Sequence, residues 1–200
     1  DYESAKADFD KAISMDPKNY DRLIEIYEAL ADYGYREVGQ EYLQNVLDTA
    51  KQLDAYDSGR IYYYLGDYQK AYLALEEAKG KGGVDSYLYL GKAYAATGDY
   101  NYASSVYSNY LSKQGPDAEI YNQLGLCEMA KKDYQKALEA FQAGKQIEGN
   151  SLMQTLSFNE IVAYEYLQDY QKAAVLLKAY LQNYPDDQAA IREQQFLSTR

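Results

Sequence analysis

Histidine and tryptophan are absent from this chain of 200 residues, and cysteine occurs once, at Cys127. Without histidine the chain lacks the commonest metal ligand and general base, and a Cys–His nucleophile is excluded. A single cysteine also excludes an internal disulfide and a zinc site of the usual Cys/His type. We therefore expect no enzymatic activity, no cofactor and no metal site, with Cys127 as a small buried apolar side chain.

Proline and long apolar runs are scarce too. The chain has three prolines, which leaves room for long helices. No run of apolar residues approaches the length of about 18 that indicates a transmembrane helix, so we expect no direct membrane insertion. Hydrophobic residues nonetheless make up 47% of the chain, which is enough for a packed core.

Positive charge is the minority sign, since the net charge is −11. The excess is concentrated in residues 1–50, which hold 12 acidic and 5 basic residues. An acidic protein repels nucleic acid and anionic membrane surfaces. Neither is an expected partner.

Tyrosine is abundant, with 26 copies, and many of them belong to a repeated pattern. An Asp-Tyr pair followed by a small residue recurs along the chain, and one copy keeps only the small residue. The small residues are 32–36 positions apart: Ala5, Gly39, Ala71, Ala103, Ala137 and Ala173. The pattern predicts a helix at each copy, capped by the aspartate: Asp1, Asp67, Asp99, Asp133 and Asp169.

Two further features support a repeated helix pair. Glycine recurs at Gly59, Gly91 and Gly125, inside the helix that precedes each Asp-Tyr pair. Because glycine inside a helix costs about 1 kcal/mol relative to alanine, its recurrence predicts close helix–helix packing. The prolines each follow the expected end of a second helix: Pro17, Pro116 and Pro185.

The motifs Tyr121-x2-Leu124-Gly125…Ala137-x3-Phe141 and Tyr87-x2-Leu90-Gly91-x2-Tyr94…Ala103-x3-Tyr107 carry a family resemblance. The chain resembles the tetratricopeptide repeat, whose pattern is W-x2-L-G-x2-Y…A-x3-F…P over about 34 residues. The resemblance covers about residues 1–187. It departs at Tyr27 and Ile161, where glycine is usual, and at Glu128, where tyrosine is usual.

The resemblance implies an all-α fold, a right-handed α-solenoid of stacked antiparallel helix pairs with about 12 helices. We expect a single domain, residues 1–200, that opens with the second helix of a truncated repeat at 1–16. Helix pairs follow at 19–50, 52–83, 84–116, 117–150 and 151–185. A capping helix at 187–198 closes the array, with acidic and amide residues suited to a solvent-exposed face: Asp187, Gln188, Glu193, Gln194 and Gln195.

The resemblance also implies that the first helices of the pairs line a concave groove. On the first of them an acidic stripe has the spacing i, i+4, i+7, i+11: Asp21, Glu25, Glu28 and Asp32. Two interpretations stay open at this point. The stripe is either the solvated face of an amphipathic helix or an electrostatic patch that favours a basic ligand.

Tyrosines dominate the corresponding face of the next first helices. The groove candidates there are Tyr56, Arg60, Tyr63 and Tyr64, then Tyr89 and Lys92, then Asn122 and Tyr166. Tyrosine offers a large contact area and a hydroxyl group at a small entropic cost, and Arg60 could stack on a ring or hold a carboxylate. Packing between helices is the alternative role for these tyrosines.

The function favoured by this pattern is a non-enzymatic protein–protein interaction scaffold that binds an extended peptide or a partner helix in the groove. The partner is a protein or peptide, including one with basic residues. Two alternatives stay open: an assembly or spacer module of a longer protein, and a carbohydrate-binding surface of stacked tyrosines.

Because the chain starts at Asp1 in mid-repeat, we expect further residues upstream and favour an exported or cell-envelope bacterial protein, with a cytoplasmic one as the alternative. The sequence leaves the oligomeric state open.

Overall fold

The computed structural model describes residues 2–200, with the backbone alone for Tyr2, and the predicted cap Asp1 lies outside the described residues. Within them the chain forms twelve α-helices and no strand. The helices are α1 Tyr2–Met15, α2 Tyr20–Asp32, α3 Arg36–Thr49, α4 Ala55–Leu65, α5 Tyr68–Ala78, α6 Gly83–Ala96, α7 Tyr100–Gln114, α8 Ala118–Ala130, α9 Tyr134–Lys145, α10 Met153–Tyr166, α11 Tyr170–Asn183 and α12 Gln188–Leu197. The predicted fold class, all-α with helix pairs, is confirmed.

The second helices α5, α7, α9 and α11 begin as the Asp-Tyr pattern predicts. In each, the aspartate side chain accepts a hydrogen bond from the backbone N–H three residues later: Asp67, Asp99, Asp133 and Asp169. This bond satisfies one of the free amides at the helix start. The copy that lacks the Asp-Tyr pair differs, because α3 begins after Tyr35 without a side-chain cap.

The turns inside the helix pairs contain one residue with positive φ, which reverses the chain after the first helix. Gly34, Gly66 and Gly98 take this place in three pairs. Lys132 and Gln168 take it in the other two, with φ of 64° and 62°. Residues other than glycine adopt this conformation rarely.

The prolines stop the second helices as predicted, since α1, α7 and α11 each end two residues before one.

The recurring glycines lie where two helices of a pair meet. A Cβ atom on Gly59 would lie 2.5 Å from Leu75 Cγ. A Cβ on Gly91 or Gly125 would overlap the ring of Tyr107 or Phe141. The predicted close packing is therefore confirmed, and a buried side chain of the second helix fills the space that each glycine leaves: Leu75, Tyr107 or Phe141.

Residue contacts divide the chain into two compact units, Asp1–Tyr89 and Leu90–Arg200, whereas the sequence predicts one domain. The core of the first unit is a cluster of Leu23, Ile24, Tyr27, Leu43 and Ile61. In the second unit one cluster contains Ala137, Leu138, Phe141, Leu156 and Ala163, and another Ile161, Ala173, Leu177, Tyr180, Ala190 and Leu197.

Among the described residues no helix has the length and apolarity that crossing a membrane requires.

Candidate functional site

The acidic stripe on α2 is exposed along its whole length. Two of its members bond to α4: Asp21 Oδ1 lies 2.5 Å from Arg60 Nη1, and Glu28 accepts a hydrogen bond of 2.5 Å from the Tyr64 hydroxyl. Glu25 and Asp32 form no ion pair with any described residue. Half of the stripe is thus engaged within the chain, and the other half presents uncompensated negative charge to solvent.

Arg60 lies in the interior of the first unit, with only 7% of its surface exposed. Its guanidinium bonds both Asp21 and Asp57 at 2.5 Å and stacks over the Tyr56 ring at 4.3 Å. Burial alone would lower the pKa of Arg60, but the hydrogen bonds to the two aspartates outweigh it and raise that pKa. Both carboxylates belong to this chain, so Arg60 is already paired and has little surface for a ligand.

Tyr63, Tyr64 and Tyr89 form a compact aromatic cluster on α4 and α6. The ring centroids are 5.4 Å apart for Tyr63–Tyr64, 5.6 Å for Tyr63–Tyr89 and 5.9 Å for Tyr64–Tyr89. The Tyr64 and Tyr89 hydroxyls are 3.0 Å apart, and burial together with the Glu28 acceptor raises the pKa of Tyr64. Each ring is only half-buried. The cluster therefore packs neighbouring helices and still offers ring surface to solvent.

The candidates of the second unit have different surroundings. Lys92 Nζ lies 3.5 Å from Glu119 Oε1, and the buried Asn122 accepts a hydrogen bond of 2.9 Å from Asn159. The first contact joins α6 to α8, and the second joins α8 to α10. Tyr166 is unlike them, since 57% of its surface is exposed while its ring lies 4.9 Å from that of Tyr134.

Tyr166 borders a pocket of about 580 Å³ that the sequence analysis missed. Three helices line it: Val162, Glu165 and Tyr166 from α10, Tyr170 from α11, and Glu193 and Phe196 from α12, with Gln168 from the turn. The single sequence carries no signal that relates Glu165 to Glu193, because only the fold brings α10 and α12 to one pocket.

This pocket corrects part of the prediction for the capping helix. Glu193 was predicted to face solvent, but it is half-buried beside Glu165. Asp187 was predicted to be exposed as well, but it is half-buried, accepts a hydrogen bond of 2.5 Å from the Tyr180 hydroxyl, and caps α12. Gln188, Gln194 and Gln195 are exposed as predicted. The acidic residues turn inward because α12 packs on α11 through Ala190 and Leu197.

Family models described as the tetratricopeptide repeat match residues 88–151, 158–187 and 1–19, which together exceed half of the chain. The chain belongs to the tetratricopeptide repeat family. Tetratricopeptide repeat folds typically serve protein–protein interaction, and proteins of the family are generally non-enzymatic scaffolds. No curated protein matches the chain significantly.

Solved structures of tetratricopeptide repeat proteins share the fold at low sequence identity. YrrB, titled a TPR protein with an unusual peptide-binding site, has a TM-score of 0.61 and 20% identity over 94% of this chain and 97% of its own. TTC0263, a thermophilic TPR protein of Thermus thermophilus, has a TM-score of 0.68 and 15% identity over 90% and 100%. MamA of Desulfovibrio magneticus has a TM-score of 0.60 and 19% identity over 85% and 98%.

One departure from the tetratricopeptide repeat pattern is a buried glutamate with a charged partner close by. Glu128, where tyrosine is usual, is buried and forms an ion pair of 2.8 Å with Lys131.

Cys127 beside it is buried as predicted, and burial raises the pKa of its thiol to about 12, so the thiolate does not form near neutral pH.

The Glu165–Glu193 pair predicts an unusual pH dependence of stability. Burial, followed by the hydrogen bond and charge of Glu193, raises the pKa of Glu165 from 4.5 to about 8. Between these values the folded chain binds more protons than the unfolded chain, so stability falls as pH rises. Glu165→Gln imitates the protonated group and avoids this loss. With allowance for solvent screening, we expect the variant's melting temperature to gain about 2–5 °C on the parent between pH 5 and pH 9.

Thermal unfolding followed by circular dichroism across this pH range checks the expectation. Glu77→Gln on α5 is the matched control, because Glu77 is exposed and loses the same charge. Its melting temperature should follow the parent's at every pH. Parallel curves for Glu165→Gln and the parent would contradict the raised pKa.

Proposed function

We propose that this chain is a non-enzymatic interaction module that binds an extended peptide or a helix of a partner protein along the exposed faces of its first helices. The observation that carries the proposal is the surface of α2, α4 and α6 in the first unit. Exposed carboxylates that form no ion pair with any residue of the described part of the chain lie on α2 there, and half-buried tyrosine rings lie on α4 and α6.

The charge of this surface favours a partner with basic residues. Arg60 is neutralised by Asp21 and Asp57, so it does not offset the negative charge of Glu25 and Asp32. Complementary charge speeds association and fixes the register of a bound chain. A lysine or arginine of the partner near Glu25 or Asp32 would gain an attraction that an acidic peptide would not.

The tyrosines suit the same role. Tyr63 and Tyr89 pack against each other and are thereby held in place, so a partner loses little side-chain entropy when it contacts their exposed edges. Tyrosine is enriched among residues that dominate binding energies. YrrB, whose title names a peptide-binding site, shares this fold over nearly the whole chain. That likeness supports a peptide ligand through the fold alone.

Selection of 12-residue peptides from a random display library tests the proposal. We expect the enriched peptides to contain lysine or arginine. In fluorescence anisotropy titrations, the double variant Glu25→Lys/Asp32→Lys should bind them at least tenfold more weakly, about 1.4 kcal/mol. Both side chains are exposed and form no ion pair within the described residues, so the fold should tolerate the change.

Glu77→Lys on the second helix α5 is the matched control, since it reverses the charge of an exposed glutamate away from the first helices. It should leave the affinity within about twofold of the parent. A library without enriched peptides, or peptides that bind the double variant and the parent equally, would overturn the assignment of this surface.

A further inference from the structure

The pocket of the second unit combines aromatic rings with two adjacent carboxylates. Its lining includes three aromatic rings, Tyr166, Tyr170 and Phe196. Glu165 and Glu193 lie beside each other in it. The volume of about 580 Å³ is in the range of pockets that hold small ligands or side chains. Aromatic rings beside carboxylates are the surroundings that favour an organic cation.

The carboxylates are incompletely satisfied. Glu165 Oε1 is shielded from solvent and has no hydrogen-bond partner among the described residues. Burial is the main cause of the raised pKa of Glu165, and the hydrogen bond to Glu193 and the repulsion between the two carboxylates raise it further. A positive charge placed between them would satisfy the free oxygen and remove the repulsion.

The aromatic wall already accepts a guanidinium group. The Arg200 guanidinium lies 4.7 Å from the Phe196 ring centroid and 5.8 Å from the Tyr170 ring centroid. Within the described residues it forms no ion pair with either glutamate. Arg200 thus lies over Phe196 and Tyr170 and does not neutralise the two carboxylates.

We propose that this pocket, defined by Glu165, Tyr166, Glu193 and Phe196, binds an arginine side chain of a partner polypeptide. The planar guanidinium would lie against the exposed ring of Tyr166, beside Arg200, and donate hydrogen bonds to both carboxylates. Its several N–H groups in a fixed plane match two adjacent carboxylates, whereas the ammonium of lysine is a compact charge that stacks less well on rings. The inference rests on the proposed function, because it names the side chain that one place on the module recognises.

A single-residue ligand tests this pocket apart from the rest of the module. We would titrate the full chain at pH 8 with N-acetyl-arginine N-methylamide and follow backbone amide shifts by NMR. Binding should shift the amides of Val162, Tyr166 and Phe196 with one common dissociation constant. The citrulline analogue has nearly the same shape without the charge, and we expect it to bind at least tenfold more weakly.

The variants Glu165→Gln and Glu193→Gln should each weaken arginine binding at least tenfold, and Tyr166→Ala about fivefold. Glu165→Gln is expected to fold at least as well as the parent, so its loss of binding would not be a loss of structure. Glu77→Gln, which removes an exposed charge from α5, should bind the ligand like the parent.

Three outcomes would overturn the proposal. They are equal binding of the citrulline analogue, equal binding by Glu165→Gln, and shifts spread over the acidic residues of α2 instead of the pocket. Lysine amide binding as tightly as arginine amide would overturn the choice of a guanidinium. The peptide selection concerns a different surface, on α2, α4 and α6. If it fails while the pocket still binds the arginine ligand, the proposed function is overturned and the arginine site stands.

Discussion

Gly125→Ala is expected to destabilise the second unit by about 2 kcal/mol, although alanine is the better helix former by about 1 kcal/mol. The added Cβ would lie 2.6 Å from Phe141 Cδ1 and nearer still to Cε1. Phe141 is fully buried, so its ring has no free space into which it can move. Overpacking of this kind forces a shift of the backbone or an unfavourable rotamer. Urea unfolding followed by circular dichroism measures the change.

A double-mutant cycle isolates the cause. Phe141→Ala alone should cost about 3–5 kcal/mol, because it leaves a large cavity. In that background Gly125→Ala should be neutral or stabilising, since the clashing ring is gone. Gly144→Ala on α9 is the matched control: its Cβ would lie 3.1 Å from the nearest atoms of Leu156 and Tyr121, a tight contact that a movement of a few tenths of an ångström relieves, whereas Gly125→Ala overlaps a ring. It should cost less than about 1 kcal/mol. Equal costs for Gly125→Ala with and without Phe141 would contradict the packing explanation.

The positions of the helices could be predicted from the sequence, but the contacts between them could not. Period, caps and prolines are local signals, and they located the helices to within a few residues. Two irregular positions, Tyr27 and Gly39, turn out to be one feature. A Cβ on Gly39 would lie 2.8 Å from Tyr27 Cδ2. Tyrosine on the first helix is accommodated by glycine on the second, the reverse of Gly125 and Phe141. The sequence shows both residues but not that they touch.

The candidate site was less accessible to sequence reasoning. Helical spacing placed Asp21 and Arg60 on exposed faces of consecutive first helices, and this much follows from periodicity. Periodicity does not report whether two such faces satisfy each other, as Asp21 and Arg60 do at 2.5 Å. The pocket at Glu165 and Glu193 was invisible for a related reason. Its two carboxylates belong to helices that are not neighbours in sequence, and each by itself resembles an ordinary surface glutamate.

Arg60→Met should cost about 2–4 kcal/mol, the largest effect expected from a single charged residue of the first unit. Methionine fills a similar volume, so the loss comes from electrostatics. The Asp57 side chain is 19% exposed and loses its hydrogen-bond partner, whereas the Asp21 side chain is 75% exposed and is resolvated by water. Asp21→Asn is therefore the matched control and should cost less than about 1 kcal/mol. Urea unfolding of both variants at pH 8 provides the measurement.

The pH dependence of the defect identifies Asp57 as its source. Burial already raises the pKa of Asp57 above 3.8, and Arg60 opposes that rise. Without Arg60 the pKa rises further, so the folded variant takes up a proton at a higher pH than the unfolded chain does. The cost is then present in full above that pKa and declines as pH falls through it. The defect of Arg60→Met should shrink as the pH is lowered from 8, and Asp57→Asn added to it should recover most of the loss at pH 8. A defect that is independent of pH, or that Asp57→Asn leaves unchanged, would mean that Arg60 acts through its packing on Tyr56 instead.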